Sequence, residues 1–135
     1  MPARYLLDTN TASYAIKGHV PQVREHLLKI PTTDVAISVI TEAELRFGVV
    51  RLSNPKRIAV AVEEFLKYVD IYPWTSAAAR EYAELRAFVE HEGRPMGNLD
   101  LMIAAHALAL GTVLVTSDRV FRRVNGLTIE DWARG

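Results

Sequence analysis

The chain contains no cysteine. That excludes a disulfide framework and thiolate metal sites, and it fits a reducing compartment. It also carries no net charge, with 16 basic residues balancing 16 acidic ones. Sequence-blind nucleic-acid binding usually shows a basic excess, so any such function here must rest on particular side chains. No apolar run approaches the roughly 20 residues that span a bilayer, because Arg, Glu, Asp and Pro interrupt each one. No basic stretch leads into a long apolar segment at the N-terminus, so no signal peptide is expected. The expectation is a soluble cytoplasmic protein without membrane association.

Several catalytic signatures are missing as well. There is no GxxxxGK phosphate loop, no GxGxxG fingerprint and no HExxH. The four histidines, His19, His26, His91 and His106, lack zinc-ligand spacing. His26 and His91 are expected to face solvent, and His106 to be a packed or hydrogen-bonded helix residue. No nucleophile elbow supports Ser-His-Asp chemistry. The stretch "DTN" looks superficially like an aspartyl-phosphate phosphatase, but that chemistry wants a second Asp where Asn10 stands. A receiver-like phosphoacceptor would need paired early acids and a late lysine, and neither is present.

Half of the 135 residues are apolar, which suffices for one well-cored domain over 1–135. "RYLLDT" reads as a first strand, and "NTASYAIKG" as a short helix ending at Gly18. "PQVREHLLKI" is a helix opened by proline. "DVAISVI" is a second strand, followed by a helix "TEAELRFGVVRL" in which Thr41 and Glu44 have capping-box spacing. "NPKRIAVAVEEFLKYV" is amphipathic, "DIYPW" a short strand, and "TSAAAREYAELRAFVEHEG" a long helix capped by Thr75 or Ser76. "LDLMIAAHALALG" is apolar nearly all round and is placed in the interior. "TVLVTSD" is another strand, then a turn at Asn125-Gly126 leads to a last strand around Leu127–Ile129. This alternation predicts an α/β fold with a mainly parallel sheet covered by helices on both faces. In such folds ligands bind beyond the C-terminal ends of the strands.

Four acids stand at those positions. Asp8 ends the first strand, Glu42 follows the second, Asp100 opens the apolar helix, and Asp118 follows "VLVTS". Gathered at one edge they would repel and raise one another's pKa, a conflict that a divalent cation removes. Oxygen ligands with few histidines favour Mg²⁺ or Mn²⁺ over zinc. Asp and Glu are also favoured in first helical turns by capping and the helix dipole, which is the alternative for each acid taken singly.

The stretches "LLDTN", "ISVITEAELRFGV", "GNLDLMIAAHALALG" and "LVTSDRVFRRVNGLTIEDW" together resemble the PIN-domain ribonucleases, and among them the VapC toxins of toxin–antitoxin systems. The similarity runs from Tyr5 to Trp132. It implies a three-layer α/β/α sandwich and an acidic cluster binding Mg²⁺ or Mn²⁺. It also implies hydrolysis of a phosphodiester bond in structured RNA, often transfer RNA, leaving a 5′-phosphate and a 3′-hydroxyl. The family's acids fall on Asp8, Glu42, Asp100 and Asp118, and the second acid that many relatives carry in the last loop is replaced by Val120.

Asp8 and Asp100 are then expected to hold the metal, Asp118 to complete the pocket and Glu42 to position the attacking water. Thr9, Asn10 and Thr116 match small polar positions of the family that orient these groups. Arg46, Arg119, Arg122 and Arg123 are candidate phosphate contacts, with surface ion pairing as the alternative for each. Tyr14 and Trp74 are candidates for base stacking or for packing. The resemblance further implies a homodimer and a VapB-like antitoxin, seated on the helices between Thr11 and Ile30 and between Thr41 and Val69. A DNA-directed flap nuclease would need longer extra elements. A catalytically dead binding module is disfavoured by the joint presence of Asp8, Glu42 and Asp100.

Overall fold

The computed structural model describes residues 3–134. Five strands, β1 (Tyr5–Leu7), β2 (Val35–Ser38), β3 (Asp70–Tyr72), β4 (Val113–Val115) and β5 (Ile129–Glu130), form one sheet in the order β3-β2-β1-β4-β5. Every pairing is parallel. Of the three inner strands, β1 and β2 are buried along their whole length, as continuous apolar runs in parallel sheets require.

Six helices cover the sheet: α1 (Thr9–Lys17), α2 (Pro21–Leu28), α3 (Val39–Val50), α4 (Lys56–Tyr68), α5 (Ser76–His91) and α6 (Asn98–Leu110). Strand side chains alternate between two cores. Tyr5, Leu7, Val35, Ile37 and Val115 pack with residues of α1, α2 and α4. Leu6, Ala36 and Leu114 pack with α5 and α6. The result is the expected three-layer sandwich.

Local chemistry explains the element ends. Asp8 has extended backbone and its side chain accepts the Thr11 N–H, starting α1. Gly18 ends that helix with φ +74°, a left-handed conformation that glycine adopts without strain. Arg24 then donates to the carbonyls of Ala15 at 2.8 Å and Ile16 at 3.0 Å, satisfying the exposed end of α1. Thr75 caps α5 through the Ala78 N–H.

The junction after β2 differs from the sequence expectation. The strand stops at Ser38, whose side chain accepts the Ile40 N–H and caps α3. The helix therefore begins at Val39, and Thr41 with Glu44 is not a capping box. Thr41 is buried inside the first turn. β5 lies slightly later than expected, at Ile129–Glu130. His26 is half-buried and stacked on Trp132, with centroids 5.1 Å apart, not turned to solvent.

The parallel arrangement puts all strand C-termini on one edge. The chain leaves β1 toward β2 on one side and returns from β3 to β4 on the other. The crevice between β1 and β4 is thus a topological switch point.

Candidate active site

Asp8 sits in that crevice and is only 3% exposed. Its backbone N–H donates to the Val115 carbonyl at 3.0 Å, tying it to the end of β4. One carboxylate oxygen accepts from the Thr11 N–H at 2.8 Å. The other accepts from the Thr116 hydroxyl at 2.5 Å. Burial pushes the Asp8 carboxyl above its ordinary range, the bonds from Thr116 and Thr11 pull it back, and nearby Asp118 adds a further upward push.

Asp118 is linked to the same threonine, since its backbone N–H donates to Thr116 Oγ1 at 3.0 Å. Its carboxylate accepts from the Val120 N–H and caps a short 3-10 turn over Arg119–Arg123. Asp100 lies half-buried in the first turn of α6. Its carboxyl is raised by burial first, then by the charges of Asp118, Glu44 and Asp8. Three of the four acids expected from the sequence therefore share one electrostatic site.

The fourth member is Glu44, not Glu42. Glu44 accepts from the Thr9 hydroxyl at 2.6 Å, next to Asp8 in the chain, and its charge acts on Asp100. Glu42 instead pairs with Arg46 at 2.8 Å, and Arg46 pairs with Glu63 of α4 at 2.6 Å. Residues two apart on a helix point roughly 200° from one another, so one orientation of α3 cannot present both acids to the same site. Thr41 and Leu45 face the core, Glu42 and Glu44 flank that face on opposite sides, and the bond from Thr9 marks the side of Glu44 as that of the acidic site.

Among the supporting residues, Thr9 holds Glu44 and Thr116 holds Asp8. Asn10 is exposed on α1. Arg46, expected as a phosphate contact, pairs with two carboxylates, those of Glu42 and Glu63. Arg123 donates to the Arg94 carbonyl and lies 3.6 Å from Glu92. Arg119 and Arg122 are exposed beside Asp118 and make no ion pair among the described residues. Trp74 packs edge-on against Tyr82 and His106, and Tyr14 against His19.

No group of three or more acidic or histidine side chains among the described residues already stands in metal-holding geometry. The donor set nevertheless suits a hard cation. Asp8 and Asp100 are carboxylates whose charged forms are disfavoured by burial and by neighbouring acids. Mg²⁺ characteristically uses one or two carboxylates and completes its shell with water and substrate oxygens.

A groove of about 670 Å³ opens from Thr9, Asn10 and Glu44 and continues to Phe47, Leu52 and Ile58. A second, of about 440 Å³, lies between α2 and α4 and is lined by Leu27, Leu28, Phe65 and Tyr68. Phe47 in the first groove and Leu28 in the second are conspicuously exposed apolar side chains.

Residues 5–127 match the PIN domain family model. The chain belongs to the PIN-domain family. Within it the similarity is to VapC proteins. The tRNA(fMet)-specific endonuclease VapC of Shigella flexneri is 36% identical over 131 residues, covering 96% of this chain and 98% of the relative. Ribonuclease VapC2 of Rickettsia felis is 35% identical over 130 residues, covering 95% and 97%. Among solved structures, the DNA-bound VapBC of Salmonella typhimurium superposes with a TM-score of 0.88 at 34% identity, covering 96% of this chain and 98% of the other. This PIN domain is thus a VapC-type chain, and no helix among its described residues is long and apolar enough to cross a membrane.

Proposed function

We propose that this chain is the cytoplasmic toxin of a toxin–antitoxin pair, an Mg²⁺- or Mn²⁺-dependent endoribonuclease that hydrolyses a phosphodiester bond in structured RNA. The observation that carries this reading is the meeting of Asp8, Asp100, Asp118 and Glu44 at the sheet's switch-point edge. The name of the Shigella flexneri relative supports transfer RNA as the substrate class.

Asp8 and Asp100 would hold the cation, with Asp118 completing the acidic pocket. A bound divalent cation supplies charge neutralisation at the scissile phosphate and water of lowered pKa. Thr11 and Thr116 fix the Asp8 carboxylate before substrate arrives. Glu44 takes the part that the sequence suggested for Glu42. Held by Thr9, it orients the attacking water and accepts its proton. Arg119 and Arg122 contact RNA phosphates beside Asp118, positioning the substrate without reading its sequence.

A VapB-like antitoxin seats on the apolar grooves of α1 to α4, and the chain forms a homodimer. The solved VapBC complexes of similar chains support the antitoxin as partner. The groove that begins at Glu44 gives such a segment a path to the acidic site.

Purified chain freed of antitoxin is expected to cleave transfer RNA with Mg²⁺ or Mn²⁺ and to stop on adding chelator. Asp8→Asn and Asp100→Asn should each abolish cleavage while circular dichroism stays unchanged. Undiminished cleavage in both variants would refute the proposal.

A further inference from the structure

Helix α6 carries Asp100, and its surface is almost wholly apolar. Close packing of apolar side chains sets how such a helix is rotated, and a hydrogen bond adds a fixed direction to that packing. Beyond the first turn, one polar side chain interrupts the surface. His106 is completely buried, and its Nδ1 lies 2.8 Å from Ser38 Oγ. Among the described residues this is the only hydrogen bond made by an α6 side chain.

Ser38 is also completely buried and ends β2. Its Oγ accepts the Ile40 N–H at 3.0 Å, which caps α3. The serine proton can therefore point to Nδ1, leaving the imidazole neutral with its hydrogen on Nε2. Burial favours that neutral ring, against a small opposing influence of the Pro73 carbonyl. Nε2 makes no hydrogen bond of proper geometry, and the Trp74 ring lies edge-on 5.4 Å away. The hydrogen bond gives the contact between α6 and the β2–α3 junction a direction that apolar side chains lack.

We propose that His106 is a positioning residue: its hydrogen bond to Ser38 fixes the rotation of α6 against the β2–α3 junction, and with it the placement of Asp100 relative to Glu44. This inference rests on the acidic site proposed above. Ser38 starts the helix that carries Glu44, and His106 lies on the helix that carries Asp100. One hydrogen bond therefore joins the supports of two acids distant in sequence.

The test is Mn²⁺ binding to the RNA-free protein by calorimetry, with the Mg²⁺ dependence of RNA cleavage as a second readout. His106→Leu should still fold, with a lowered thermal midpoint because the buried Ser38 hydroxyl loses its acceptor. Its Mn²⁺ affinity should fall about 10-fold or more, as losses of groups that orient metal ligands do. The Mg²⁺ concentration for half-maximal cleavage should rise in parallel. His106→Asn, whose side-chain amide can pair with Ser38, should recover most of both. Parent-like affinity in His106→Leu would overturn the inference, as would an asparagine variant no better than the leucine one. Ser38→Ala gives the same comparison should the leucine variant not fold: lost affinity supports the inference and parent-like affinity overturns it. Failure of the acidic-site reading looks different. The parent then binds no Mn²⁺ and Asp8→Asn changes nothing, which overturns both.

Discussion

Thr116 and Asp8 stand 108 residues apart in the chain, yet the threonine hydroxyl donates to the buried Asp8 carboxylate at 2.5 Å. Thr116 simultaneously accepts the Asp118 N–H, so one hydroxyl ties the end of β1 to the loop after β4. Its bond favours the charged form of an acid that burial would otherwise neutralise.

Thr116→Val, which keeps the shape and removes the hydroxyl, should therefore raise the Asp8 carboxyl further. Cleavage that needs ionised Asp8 should fail at a higher pH on the acid limb. A pH–rate profile checks this. Leaving both the carboxylate and the Asp118 N–H without this partner should cost about 1–3 kcal/mol of stability, read from denaturant unfolding.

Glu44→Gln and Glu42→Gln separate the two acids of α3. Glu44→Gln should reduce cleavage by about 100-fold or more, the scale of a lost general base. Glu42→Gln should retain parent-like cleavage and lose at most about 0.5 kcal/mol, because its partner Arg46 is a solvent-exposed i, i+4 ion pair. Cleavage assays at saturating metal distinguish them, and the opposite ranking would reverse the assignment.

Asp100 makes a stability prediction in the absence of metal. Its carboxyl is raised in the folded state, so the fold penalises the charged form. The penalty is absent below the unfolded-state pKa and complete above the folded-state pKa. Asp100→Asn should therefore melt higher than the parent at neutral pH in chelator. The difference should shrink as pH falls through the carboxylate range, and parallel melting curves across pH measure it.

Trp132 is 1% exposed, meets Tyr5 edge-on at 5.2 Å and stacks on His26. It seals the C-terminal segment over β1 and α2, and its indole N–H donates to Glu130 at 3.0 Å. Trp132→Ala should cost about 3–5 kcal/mol by cavity formation, measurable as a lowered urea midpoint. The acidic site lies at the strand ends, so residual folded protein should still cleave RNA.

The elements and most of the site were legible in the sequence because their signals are local. A buried apolar triplet followed by Asp8 marks a strand end whatever lies elsewhere. The all-round apolar face of α6 marks an interior helix, and the repeated strand-then-acid pattern marks Asp118. Glu42 and Glu44 were not separable by such signals. Both are acids near the start of one helix, and the choice depends on where the helix begins and which way it turns. Ser38 decides the first, and the partners of the two acids, Thr9 for Glu44 and Arg46 for Glu42, show the second.

The sequence by itself determined which segments become strands and helices, their alternation, and hence a parallel sheet with acids at its C-terminal edge. These follow from periodicity and from the few ways such units connect. Only the tertiary structure decided which carboxylates meet. Contacts such as Thr116 with Asp8, Thr9 with Glu44 and Ser38 with His106 join residues 35 to 108 positions apart. Their geometry depends on how each helix is rotated against the sheet. That rotation is set by packing on both sides of the sheet at once, and no local run of residues encodes it.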